Sequence, residues 1–289
     1  MEQILPFILA YFGGVFGSAI GGAASFVLFG FMSIIGIASI VATGSDVFLN
    51  SVALSPIFGP QSAFIGAVAA AAFAGKLSRD GKLKNADGSP AEPFGGGDIF
   101  SPLVGKGNIA ILLVGGLFGV VGFGTLFLLD GVIGLQADNI GVAVLLTNIV
   151  VRLIFGDAEF MSDLPPEADK GKIIMENLLY DVFWALSLSI VIATVIDVIQ
   201  VPLFGFVLGA FSLIFIMAGL DFPMIHHVAF IAGLAMQVTG NIWIAGIFGV
   251  VAFLLGKVFG VMMNANVKSH IDPPAGAIAI LSFILLTFL

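Results

Sequence analysis

The sequence predicts an all-α, polytopic membrane protein of about ten spanning helices, built as two inverted five-helix repeats with broken or re-entrant segments. Three observations predict it. Apolar residues make up 59% of the chain and charged residues 10%, with a mean hydropathy of +1.16, whereas a soluble domain carries about 25% charged residues. Apolar stretches of span length follow one another with short polar gaps. Finally, three landmarks recur in the same order in both halves. Leu28-Phe29-Gly30-Phe31 equals Leu203-Phe204-Gly205-Phe206, and Ala63-Phe64-Ile65 equals Ala229-Phe230-Ile231. Gly116-Leu117-Phe118-Gly119-Val120-Val121 closely matches Gly246-Ile247-Phe248-Gly249-Val250-Val251.

The apolar run from Ile4 to Ala42 is long enough for two crossings at about 20 residues each, so spans are expected at 4–21 and 23–43 with a turn at Gly21-Gly22. Gly13, Gly17 and Gly21 recur every fourth residue, which lets a neighbouring helix approach closely. Thr43-Gly44-Ser45-Asp46 breaks the second helix, and the segment 46–60 is too short to cross, so it reads as re-entrant. A third span follows at 61–76. Residues 77–108 form a polar loop with turn signals at Asp80-Gly81 and Asp87-Gly88. Ser101-Pro102 predicts the start of a short helix, and spans at 109–129 and 139–156 complete the first repeat, 1–156. A linker, 157–177, leads to the second repeat, 178–289, with spans at 178–199, 203–220, 226–241, 242–263 and 275–289.

Five spans per repeat is an odd number, so the second copy enters the membrane from the opposite face. Basic residues favour the cytoplasmic ends of spans, and with ten spans Lys76, Arg79, Lys82, Lys84, Lys106, Arg152, Lys170, Lys172, Lys257 and Lys268 all fall on one side. That assigns 77–108 and 157–177 to the cytoplasm and both termini to the outside, in a prokaryotic inner membrane. The chain has no Cys, which excludes disulfides and thiolate chemistry. Ten Lys and Arg against eighteen Asp and Glu offer no basic surface for nucleic acid.

Polar groups at membrane depth are the functional candidates. The two breaks, at Pro60 and at Pro223, supply Gln61 and Ser62 in one and His226 and His227 in the other, with Phe58 and Phe222 beside them as constricting rings. None of these carries a fixed positive charge, so the expected solute is small, polar and neutral or weakly ionising, of the amide, urea or ammonia kind. Neighbouring helical residues point about 100° apart, so one histidine of the pair is expected to face the pathway. Asp181, His226 and His227 are the candidates for a proton or cation site. Asp272 is expected to cap the last helix, whose first turn holds Pro273 and Pro274. No metal-ligand spacing is present, and no metal or cofactor is expected.

The Leu-Phe-Gly-Phe, Gly-Pro-x-x-Ala-Phe and Leu-Val-Gly-Gly-Leu-Phe-Gly-Val stretches resemble a family of uncharacterised prokaryotic ten-span, permease-like membrane proteins. At the level of plan, the five-plus-five layout is similar to urea transporters, although the Leu-Pro-x-x-Thr-x-Pro-Phe signature of that family is absent, so its substrate does not transfer. The reading is therefore a transporter or channel rather than an enzyme, with a small solute and the bilayer as partners and a homo-oligomer permitted by the glycine ridges. The alternatives are a proton- or sodium-coupled symporter of small organic acids and, from another class, an intramembrane enzyme or a scaffold subunit.

Overall fold

The computed structural model of the protein describes residues 4–157, 160–165 and 167–289, and everything below concerns these. They are helical, apart from loops and one isolated bridge between Lys84 and Pro90. In chain order the helices are α1 (Leu5–Ile20), α2 (Gly22–Thr43), α3 (Ala63–Arg79), α4 (Ile109–Phe127), α5 (Asn139–Phe155), the short α6 (Lys170–Met175), α7 (Leu178–Ile199), α8 (Leu203–Met217), α9 (His226–Thr239), α10 (Ile242–Met263) and α11 (Pro273–Phe288).

Each apolar stretch read from the sequence is thus a helix, and four are long and apolar enough to cross a membrane: Gly22–Thr43, Ile109–Ile133, Leu178–Ile199 and Ile242–Met263. The helices α1, α5, α8 and α11 are apolar but shorter. Their ends follow local chemistry. Asn108, Asp138, Asn241 and Asp272 accept backbone N–H groups of the first turns of α4, α5, α10 and α11. At Gly21 a positive φ of 93° reverses the chain from α1 into α2 within one residue.

The helix expected at Ser101-Pro102 does not form. The Asp98 carboxylate instead accepts the N–H groups of Phe100 and Ser101, holding the chain in a turn before a single 3-10 turn at Val104–Lys106. The segment 46–60 contains one π-helical turn, Leu49–Ala53, and then irregular turns. It packs deeply: Gly36 of α2 abuts Leu49, and Gly13 of α1 abuts the carbonyls of Pro56 and Ile57.

Two helices form the interior. Residues 61–72 at the start of α3 and 225–236 at the start of α9 are buried throughout. A helix enclosed on every side needs small residues where backbones meet, and α3 supplies them as alanines and Gly66. The same packing order recurs in the two halves. Helix α1 lies on α3 and α4, as α7 lies on α9 and α10, while α5 packs on α3 as α11 packs on α9. Ser18 donates its hydroxyl to the Gly14 carbonyl and sits against Gly115 of α4; Ser189 donates to Ala185 and sits against Gly249 of α10.

The halves join along α2 with α8 and α5 with α11. The second pair is antiparallel, because the Asp138 N–H donates to Ser282 Oγ at 2.8 Å while the far end of α5, at Arg152, bonds Ser269 just before α11. Helix α9 starts partway along its neighbour α8. Gly209, in the middle of α8, abuts His226, because the chain turns at Gly219 (φ 82°) and 220–225 folds back. This is why α8 ends at Met217 rather than at residue 220.

Candidate functional site

Where the halves meet, a cavity of about 40 Å³ is enclosed by residues from both. From the first half come Phe26, Pro60, Phe64 and Val144; from the second come Phe206, His226, Asp272 and Ile278. Space for one water needs roughly 10–15 Å³ on this measure, so the cavity holds about three water-sized groups. Its walls are mainly apolar and aromatic. The polar side chains among its lining residues are His226 and Asp272.

His226 is buried, its ring edge-on to Phe26 at 5.1 Å and to Phe206 at 6.0 Å, and its Nδ1 has no hydrogen-bond partner. Asp272 is held from two sides. One carboxylate oxygen, Oδ2, accepts the Ala275 N–H at 2.9 Å and thereby caps α11; the other lies 3.3 Å from His270 Nε2. The network assigns the His270 proton. Asn264 Oδ1 accepts the Ile271 N–H, so its amide nitrogen donates to His270 Nδ1 at 3.0 Å. The ring's own N–H is then on Nε2 and donates to Asp272.

His227 looks elsewhere. Its ring lies 5.8 Å from that of His226 and fits against Gly256 of α10, where a Cβ would lie 2.5 Å from Nε2. It lines a second, more open cavity of about 380 Å³ together with Asp181, Lys257, Pro273 and Pro274. Met224 borders both cavities.

Several sequence-predicted site residues are not brought to the central cavity. Gln61 turns back on its own half: its Nε2 donates to the Leu54 carbonyl at 3.0 Å, and its backbone carbonyl meets Gly122 of α4. Ser62 is completely buried, with its hydroxyl unpaired and away from the cavity lining. Phe58 packs edge-on against Phe16 at 5.8 Å, and Phe222 packs tilted against Phe215 at 5.0 Å. Of these four, Gln61 is drawn into bonding the turn before α3, and the two rings pack on neighbouring rings. Pro60 and Phe64, which flank Gln61 and Ser62, line the cavity instead. Asp181 is not an open cation site, because Lys257 Nζ donates to it at 2.6 Å and to the Glu176 carbonyl at 2.7 Å.

Sequence reasoning missed two charged features. The Asp181–Lys257 pair joins α7 to α10, two helices that are not neighbours in sequence, so only the structure brings it together. Arg152 was read as a topology marker, but it is wholly buried at the end of α5. Its guanidinium donates to Ser269 Oγ and to the carbonyls of Phe160, Met263 and Ser269. That clamps the segment that leads to His270 and Asp272. No cluster of three His, Asp or Glu capable of holding a metal ion occurs among the described residues.

One family, described as a family of unknown function (DUF7973), matches residues 1–160 and 183–288. The chain belongs to that family. The DUF7973 match takes in both halves, including every residue named here as lining the central cavity. No curated protein and no solved structure matches the chain, so the likeness to urea transporters in plan gains no support from comparison.

Proposed function

We propose that this DUF7973 protein carries a small polar solute across the membrane through the central cavity, and that α1–α5 and α7–α11 are inverted repeats of five spans each. The observation that carries the reading is the convergence of both helix breaks on one enclosed space: Pro60 precedes α3, His226 begins α9, and both line the same cavity. Broken helices meeting between two halves are the usual place for a transport site. The antiparallel run of α5 against α11 supports the inversion, since equivalent helices of inverted repeats point in opposite directions. The wider cavity behind His227 and Met224 supplies a route from one face. In this reading the protein resides in a prokaryotic inner membrane as a homo-oligomer, with both termini outside.

Catalysis fits the lining poorly. An acyl- or phosphoryl-transfer site needs a nucleophile beside its base, and no Ser, Thr or Tyr is among the residues that line this cavity. A scaffold subunit would have no use for an enclosed cavity holding a carboxylate.

The test is solute permeability of proteoliposomes by stopped-flow light scattering, with urea and acetamide as probes. Val144→Phe projects extra volume into the cavity and is expected to abolish the protein-dependent flux while the protein elutes normally on size exclusion. Wild-type flux through folded Val144→Phe would remove the central cavity as the path. A second reading, proton-coupled symport, is favoured by the presence of both His226 and Asp272 at the cavity wall. It predicts uptake that stops when the proton gradient is collapsed, whereas the channel reading predicts uptake that continues.

A further inference from the structure

We infer that the central cavity is a binding site for a small ammonium-class cation, ammonium itself or a short alkylammonium, held by Asp272 and His226 within a lining of phenylalanine rings. This rests on the transport reading only for what the site is for; the binding claim stands on the geometry.

The first argument is charge. Asp272 lines the cavity and leaves 15% of its side chain open. Its side-chain partner among the described residues is His270. The His270 ring is neutral, because Nδ1 accepts from Asn264 and the proton sits on Nε2. The pair therefore keeps a net negative charge in apolar surroundings. A buried carboxylate of this kind is costly unless a counter-charge shares its site.

The second argument is the unpaired imidazole. His226 is buried, lines the same cavity and has an Nδ1 with no partner. A neutral imidazole has one acceptor nitrogen, and an ammonium ion has several N–H donors, enough for both Asp272 and His226.

The third is the wall. Phe26, Phe64, Phe100 and Phe206 line the cavity, and the face of an aromatic ring attracts a cation through its quadrupole. Hard metal cations such as Ca²⁺ ask for about 6–8 oxygen ligands, and one side-chain carboxylate does not provide them. The volume of about 40 Å³, room for about three water-sized groups, admits ammonium or methylammonium. Small organic acids, which would bring a second negative charge beside Asp272, are disfavoured by the same features.

The experiment is calorimetric titration of the purified full-length protein in detergent. Ammonium chloride and methylammonium chloride are the probes, with sodium chloride and urea as comparators at constant ionic strength. Saturable heat is expected for the two ammonium salts and none for the comparators. Asp272→Asn keeps an oxygen to accept the Ala275 N–H, so α11 stays capped and the elution profile is unchanged, while binding weakens by at least ~30-fold. Phe26→Leu, which leaves the cap untouched, is expected to weaken binding by about 2- to 30-fold. Equal binding by Asp272→Asn, preference for urea, or no ammonium heat from folded wild-type protein would overturn the assignment. Urea flux in liposomes without ammonium binding would remove the cation site and leave the transport reading. Ammonium binding without any solute flux would keep the site and remove the transport reading.

Discussion

Replacing Arg152 with Met removes a guanidinium that is completely buried at the end of α5 and donates to four acceptors. Met fills similar space but donates nothing, so the carbonyls of Phe160, Met263 and Ser269 lose a partner at once. A buried acceptor left unsatisfied costs about 1–3 kcal/mol. Some of that is recovered as the loop loosens and water enters, and removing the buried charge recovers more, so a net loss of about 3 kcal/mol is expected. For a chain of this size that corresponds to a fall in melting temperature on the order of 5–10 °C, read by tryptophan fluorescence or by thermal challenge before size exclusion. Arg152→Lys should fall between the two, because one ammonium cannot reach acceptors spread around a planar fork. The clamp also sets the approach to His270 and Asp272, so Arg152→Met is expected to reduce ammonium heat in folded protein as well. A melting temperature within about 2 °C of wild type would refute the reasoning, since it would mean those carbonyls are satisfied without the guanidinium.

Other predictions follow from the same structure. Gly66→Val places a Cβ 2.5 Å from Gly14 Cα and 2.6 Å from the Gly115 carbonyl, where three backbones cross and none can yield; no monodisperse protein is expected on size exclusion. Asp157 lies 3.2 Å from Arg79 and 3.4 Å from Lys268. Burial pushes its carboxyl up, but Arg79 and Lys268 outweigh this and hold it below the usual carboxylate range. Its contribution to stability is therefore present above about pH 4 and is lost as pH falls through the lowered value. Asp157→Asn should flatten that acid limb in a pH series of melting curves; with 44% of the side chain exposed the effect is under about 1 kcal/mol. Phe58→Ala and Phe222→Ala should leave liposome flux unchanged, because neither ring lines the cavity, whereas Phe206→Ala should admit larger amides in the same assay.

The legible part of the fold was its inventory of helices. Apolar runs bounded by Gly, Pro and Asp marked all of the long helices to within a few residues, because burial and capping act through residues close in sequence. At Ser101-Pro102 the chain instead follows a turn set by Asp98, whose carboxylate accepts the N–H groups of Phe100 and Ser101. The candidate site was half legible. Of the residues singled out at the breaks, Pro60 and His226 line the central cavity, and Pro223 and His227 line the wider one. Which residues line the cavity depended on packing around each break: Gln61 bonds a local turn, Phe58 and Phe222 pack on neighbouring rings, and the buried Ser62 hydroxyl has no partner.

By itself, then, the sequence determined that this is a helical protein with apolar helices long enough to cross a membrane, with matching landmarks in its halves and polar residues at its breaks. These properties are sums over neighbouring residues and survive any arrangement of the helices. Tertiary structure alone decided that His226 shares a cavity with Asp272 while His227 turns to Gly256, that Lys257 closes Asp181, and that Arg152 ties α5 to the loop before α11. Each of these joins residues 29 or more positions apart or separates adjacent ones. Hydropathy and spacing carry no term for such contacts, which exist only once the two halves have packed.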